Sequence, residues 1–233
     1  MKIKTAGLVL AFSAVFGLGL IGCGGNGNPS GGEGYTGGDN NSGGSNIGGG
    51  NNTGGGNNTG SGDTLSCGNR ECASAAMPDG KTWMTENLNV QTADSWCYEN
   101  SPDSCVKYGR LYTWEAAKRA CQQVGKRLPT TEEWDDLVTA AAAGGFAGKK
   151  LKSTSGWNNN GNGTDDYGFS ALPGGYRFSS GGFGFAGDYG YWWTATEAGG
   201  NAYRWNMGYL MDSVYEYYYY KGFGHSVRCV EDA

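Results

Sequence analysis

The chain is short of several things at once. Its 233 residues include one His and five Pro, and 17 Lys and Arg stand against 22 Asp and Glu. A single imidazole, His225, excludes His-rich zinc sites and gives no support to a Ser-His-Asp arrangement. It is expected to be an ordinary polar residue of a strand or loop. The formal charge of -5 excludes nucleic acid as a partner, because phosphate binding needs a basic face. No Cys-x-x-Cys pair is present, so a tetrathiolate zinc site is not expected. Gly148-Lys149-Lys150 lacks both the upstream glycine spacing and the Ser/Thr of a phosphate loop. What abounds instead is Gly (45), Tyr (15), Trp (8) and Cys (7), and these residue types organise the reading that follows.

Lys2 and Lys4 precede an apolar segment, Ala6 to Leu20, that is too short for a comfortable membrane span and suits a signal peptide. Leu20-Ile21-Gly22-Cys23 resembles the lipobox of bacterial lipoproteins, which implies that residues 1–22 are removed and Cys23 is lipidated. Several acyl chains would hold the protein on a membrane, at about 0.8 kcal/mol per buried methylene. Gly24 stands where Asp would retain a lipoprotein at the inner membrane of a Gram-negative cell. By that resemblance the expected location is the outer membrane, at the cell surface.

Loss of Lys2 and Lys4 from the 17 basic residues leaves 15 against 22 acidic ones, a charge of -7. Six cysteines remain: Cys67, Cys72, Cys97, Cys105, Cys121 and Cys229. An even number outside the cytoplasm reads as three disulfides, with about fifteen pairings open. Local spacing favours Cys67–Cys72 and Cys97–Cys105, which leaves Cys121–Cys229.

Cys23 and residues 24–62 form a tether of Gly, Asn, Ser and Thr, with Gly-Gly-Gly-Asn-Asn-Thr in tandem at 48–53 and 54–59. Such a segment has too little to bury to offset its ordering entropy, so it is expected to stay disordered. Its root-mean-square span is on the order of 30–35 Å. Residues 63–233 are then one domain, long enough to bury a core.

Within it, Gly125 to Leu137 carries the sharpest local signal. Thr130 follows Pro129 and has Glu133 three residues on, which is a capping box. Trp134, Leu137, Val138 and Ala141 then recur at helical spacing as a buried stripe. Capping accounts for the cluster of Glu132, Glu133, Asp135 and Asp136 without any catalytic role. An earlier helix is expected from Trp114 to Val124, ended by Gly125 in the left-handed region. Met77-Pro78-Asp79-Gly80 reads as a turn, and Lys81 to Val90 as a strand running into a loop. Cys97 to Cys105 brackets a stapled turn. After Lys152 the helical period vanishes. Strands are expected within 169–178, at 191–196, 202–207, 214–220 and 225–230. Two helices followed by antiparallel strands make an α+β domain.

Thr82-Trp-Met-Thr-Glu-Asn-Leu-Asn89, Lys107-Tyr-Gly-Arg-Leu-Tyr-Thr-Trp114, Leu128-Pro-Thr-Thr-Glu-Glu-Trp134, Gly168-Phe-Ser-Ala-Leu-Pro-Gly-Gly-Tyr-Arg177, Tyr191-Trp-Trp-Thr-Ala-Thr-Glu197 and Ser226-Val-Arg-Cys-Val230 occur in that order. Together they resemble the Fibrobacter succinogenes major paralogous domain, over about Met77 to Glu231. The Arg-Leu-Pro-Thr-x-x-Glu-Trp element is also similar to the formylglycine-generating-enzyme superfamily. The resemblance implies a C-type-lectin-like core: two helices on a small twisted antiparallel sheet, termini close together, and a Cys121–Cys229 bridge that fits. It implies no activity, so function has to come from the site.

The oxidase-type members of that superfamily hold copper on two reactive cysteines near the end of the domain; here Cys229 stands alone in the C-terminal half. The tripeptides that bind sugar through calcium in C-type lectins are absent. Asn158, Asn160, Asn162, Asp165 and Asp166 are oxygen donors in one loop and make calcium the one cofactor to consider. The EF-hand pattern, however, would want Asp where Asn158 stands and Glu where Phe169 stands. Glu132/Glu133 and Asp165/Asp166 are adjacent pairs, whereas a glycosidase needs two carboxyls about 5–9 Å apart across a cleft. A hydrolase or a diverged enzyme of the formylglycine-generating fold stays as the enzyme alternative, and a structural surface coat as a third reading.

Tyr189 to Phe223 is the most informative region. In a strand, Tyr215, Tyr217 and Tyr219 point one way and Glu216, Tyr218 and Tyr220 the other. Both faces cannot be core. Trp192 and Trp205 are expected inside. Trp193, Arg204, Asn206, Asp212, Glu216, Tyr218 and Tyr220 are the candidate ligand-binding residues, using rigid amphipathic area as antibody paratopes do. A non-catalytic binding domain for cell-wall polysaccharide or another surface ligand is the expected function.

Overall fold

The computed structural model describes residues 71–231. The leader, Cys23, the tether and Cys67 lie outside the described residues. Among the described residues, no helix is long and apolar enough to cross a membrane.

β1 (Ser74–Ala76) and β2 (Thr82–Met84) form a hairpin around the expected Met77–Gly80 turn, which Gly80 closes by donating its amide to the Met77 carbonyl. β3 (Ser95–Trp96) pairs with β4 (Leu111–Tyr112), and α1 (Pro102–Tyr108) lies between them. The stapled turn is thus partly helical. Pro102 sits at a first helical position, where its fixed φ suits the helix and its missing N–H costs nothing. The Cys97–Cys105 disulfide ties α1 back to the segment before it.

The two expected helices follow as α2 (Trp114–Gln123) and α3 (Thr131–Ala141). Thr130 and Glu133 make the reciprocal capping box, and Gly125 has φ +68°, the left-handed turn that ends the α2 segment. Arg127 clamps the capping glutamate, its Nη1 and Nη2 each 2.7 Å from a Glu133 oxygen. That hydrogen bonding holds the Glu133 carboxyl below its ordinary range. A short α4 (Ala147–Leu151) completes the helices.

The main sheet is β5 (Gly174–Arg177), β6 (Phe183–Ala186), β7 (Tyr189–Ala198), β8 (Asn201–Gly208) and β9 (Tyr215–Tyr220). Its spatial order is β6-β5-β7-β8-β9, antiparallel except for β5 beside β7. The architecture is α+β, as expected. β6 was not expected, because its Phe residues sit among glycines that read as turn.

His225–Val230 is not a strand of this sheet. It threads the interior and changes partner almost at every residue. His225 exchanges amide bonds with Tyr112, Ser226 bonds Tyr191 and Trp193, Val227 accepts from Leu88, Cys229 accepts from Met84, and Val230 exchanges with Arg127. The expected strand signal was a burial signal. Cys229 is bonded to Cys121 of α2, joining the ends of a 108-residue separation. Cys72 is disulfide-bonded as well.

The core has two parts. One surrounds the Cys121–Cys229 bridge and α2, with Met84, Leu88, Trp114 and Trp193. The other gathers Trp83, Trp134, Phe169, Trp192 and Trp205. Trp134 sits at its centre, 5.1 Å from the Trp83 ring and 6.3 Å from Trp205.

Candidate functional site: an open aromatic sheet face

Register along β7, β8 and β9 fixes which side chains share a face. Trp192, Trp205 and Glu216 lie opposite one another in successive strands, and so do Trp193, Arg204 and Tyr217. The first set begins the face that α3 covers. There Trp192 and Trp205 are buried against Trp134. The second set begins the other face, where α2 packs against β7 near Trp193 while β9 is left open.

On that second face the rings form a connected surface. Tyr176 of β5 touches Phe178, Phe185, Tyr191 and Phe223 at centroid distances of 4.8, 5.6, 5.4 and 5.9 Å. Tyr189 stacks on Tyr191 at 5.8 Å, and Tyr219 meets Phe223 edge-on at 4.6 Å. Arg204 lies among them, its guanidinium carbon 4.5 Å from the Tyr191 centroid, 5.2 Å from Tyr219 and 5.7 Å from Tyr217. Phe185, Tyr217 and Tyr219 keep 48%, 56% and 42% of their surface exposed, so the rings do not close over one another. Gly175, at φ +65°, lets β6 approach within a distance where a Cβ would strike the Gly184 carbonyl. That approach is what brings Phe185 to Tyr176.

Beneath the rings lies His225. It is buried, 4.4 Å from Trp193, and neither ring nitrogen has a hydrogen-bond partner. Burial, helped by the nearby Arg204 charge, lowers its pKa well below the ordinary value, so it is a neutral packing group. Burial likewise lowers the Arg204 guanidinium, with the neighbouring tyrosines acting in the opposite direction. It raises the Tyr191 phenol, which stays protonated.

Residues 78–231 match the family model described as the Fibrobacter succinogenes major domain. The chain belongs to this family. Neither a curated protein nor a solved structure matches it.

Within this major domain the seven candidate binding residues part company. Trp193 is wholly buried, its Nε1 donating to the Tyr112 carbonyl, and it has no surface to offer a ligand. Asn206 is also buried; its Oδ1 accepts from Arg204 Nη1 at 3.1 Å and so positions the guanidinium. Strand alternation could not show the burial of Trp193, because Tyr112, α2 and His225 come over it from distant parts of the chain. Arg204 is half-buried on the open face. Glu216, Tyr218 and Tyr220 are exposed on the opposite side of β9. There Glu216 accepts the Thr131 hydroxyl, which in turn accepts from Trp205 Nε1. Asp212 is exposed in the loop before β9, and its carbonyl accepts the Lys149 amide. Residues that sequence reasoning did not select, Tyr176, Phe185, Tyr189, Tyr217 and Tyr219, make up the ring surface. The period-two pattern of 215–220 grouped Tyr217 with Tyr219 but gave no sign that Arg204 lay beneath them.

Several polar groups of the Asn-rich loop are engaged within the protein. Asn162 Oδ1 accepts the Trp157 amide, both Asp165 oxygens accept from Ser170, and Asn158 Nδ2 donates to Asp188. Lys149 Nζ bonds the Asn162 carbonyl, which puts a positive charge in the loop. Among the described residues no group of three or more His, Cys, Asp or Glu is placed to hold a metal. A cavity of about 480 Å³ lies beside the start of α3, lined by Lys118, Gln122, Arg127, Leu128, Thr130, Glu133 and Ala195. Its one carboxylate is the capping Glu133, held ionised by Arg127. A carboxyl in that state is a poor general acid near neutral pH.

Proposed function

We propose that this major domain is a non-catalytic binding module, carried at the outer membrane by a lipid on Cys23, and that it binds polysaccharide on its open aromatic sheet face. One observation carries the reading: β9 is an edge strand with all six residues exposed, and its Tyr217 and Tyr219 extend a ring surface that reaches Phe185. Contiguous exposed aromatic area is uncommon on a monomer without a binding role. Aromatic faces offer apolar contact to the CH-bearing faces of sugars.

A C-type-lectin-like core related to the formylglycine-generating fold is part of this proposal. The Cys121–Cys229 bridge supports it, as does the way the two ends of the domain meet: the Glu231 amide donates to the Thr82 carbonyl, and Trp83 bridges Val230. The Cys229 thiol is consumed by that bridge, which leaves it unable to serve the copper chemistry of the oxidase-type relatives.

The test is retention of the intact chain on insoluble cellulose and xylan and on a glycan array, with and without chelator. Retention on at least one glycan, unchanged by chelator, is expected. Absence of retention on all of them would overturn the reading in favour of an inert coat protein.

A further inference from the structure

Two arginines of the domain are removed from water, and they are treated differently. Arg228 is fully buried and every nitrogen is used. Its Nε donates to Asn87 Oδ1 at 2.8 Å, Nη1 to the Met84 and Phe169 carbonyls, and Nη2 to the Ser170 carbonyl at 2.9 Å. Burial lowers its pKa to about 9, yet the donors are matched without a carboxylate. That is how a structural cation in a core is held.

Arg204 is built otherwise. Its single hydrogen bond is from Nη1 to Asn206. Its Nε is buried without a partner, and no carboxylate lies within ion-pair distance among the described residues. Tyr191, Tyr217 and Tyr219 flank the guanidinium and fix it by cation–π contact while leaving its fork of donors underused. A partly desolvated guanidinium whose Nη2 is neither buried nor bonded favours an anion, and a carboxylate can accept a charge-assisted bond from it. The rings beside it favour an apolar ring face. Both requirements are met by one ligand class.

We infer that the aromatic face takes an acidic saccharide, a polymer containing uronate residues, with Arg204 pairing the uronate carboxylate while Tyr217 and Tyr219 lie against the sugar ring. This rests on the open face being the binding surface. The domain as a whole is acidic, so the preference comes from this one site and not from long-range attraction. It should therefore survive in about 0.15 M salt, where the screening length is about 8 Å.

The probe pair is polygalacturonate and its fully methyl-esterified form, which replaces each carboxylate by an uncharged methyl ester on the same sugar backbone. The intact chain is titrated with each, and with soluble xylan as the neutral reference. The free acid is expected to bind at least about tenfold tighter than the ester, the factor a charge-assisted hydrogen bond supplies. Arg204→Gln should collapse that ratio to near one, and Arg204→Lys should restore part of it. Should Arg204→Gln fail to fold, the comparison of acid with ester on the unaltered chain still decides. Equal binding of the two forms, or binding of xylan alone, overturns the acidic preference and leaves the aromatic reading standing. An acid preference that persists in folded Arg204→Gln overturns the assignment to Arg204. Failure to bind any of the three overturns both readings.

Discussion

The two faces of the β7-β8-β9 sheet are almost equally aromatic, and they have opposite fates. On one, Trp192 and Trp205 meet Trp134 and disappear beneath α3. On the other, Tyr217 and Tyr219 remain about half exposed above Arg204. Aromatic content therefore does not distinguish a core from a binding surface. What distinguishes them is whether another element arrives to cover the rings. The capping box of α3 delivers a helix onto the first face. On the second, α2, Tyr112 and the segment Phe223–Ser226 cover Trp193, but at β9 only Phe223 meets Tyr219, edge-on, and the strand stays exposed.

The comparison can be pressed at three depths. The largest effect is expected at the centre of the covered face. Trp134→Ala should destabilise the domain by about 3–5 kcal/mol, read by chemical unfolding, because it removes a wholly buried ring from among Trp83, Phe169, Trp192 and Trp205. A loss under about 1 kcal/mol would mean that the face is not the core.

An intermediate effect is expected at His225, between the buried and open regions. Its folded pKa lies well below the unfolded value of 6.5, so in that window the unfolded chain binds a proton that the folded chain does not. Stability is complete above about pH 6.5 and falls as the pH drops toward the folded pKa, with a slope of up to about 1.4 kcal/mol per pH unit from this group. Arg204 is the charge that acts on it, and Tyr191, Trp193, Tyr219 and Phe223 surround it without a carboxylate. Unfolding measured between pH 7.5 and 5 should show this slope, and His225→Gln should flatten it. An unchanged slope in the variant would place the titration elsewhere.

Much of the covered face was legible in the sequence, and little of the open one was. Thr130, Glu133 and Trp134 announce α3 because capping and helical period are local properties. The Cys97–Cys105 and Cys121–Cys229 pairs follow from spacing and an even count. The placement of Trp193 was not legible, since alternation gives a side chain's face but not what lies over it. Its cover is His225, Tyr112 and α2, all distant in sequence. Arg204 was picked out as a binding residue, but its ring companions were not. Tyr176 and Phe185 join the ring surface from β5 and β6, and β6 was hidden by the glycines that make its close approach sterically feasible.

The smallest structural effect belongs to the pair on which the functional reading depends, and it supplies the most direct measurement. Tyr217→Ala/Tyr219→Ala in the intact chain is followed in parallel by chemical unfolding and by binding of the polysaccharide that the unaltered chain retains. Removal of two exposed rings and their contacts with Arg204 should lower stability by no more than about 1.5 kcal/mol, while binding is lost. A destabilisation as large as that of Trp134→Ala, or binding that persists in the folded double variant, would contradict the claim that the open face exists for a ligand.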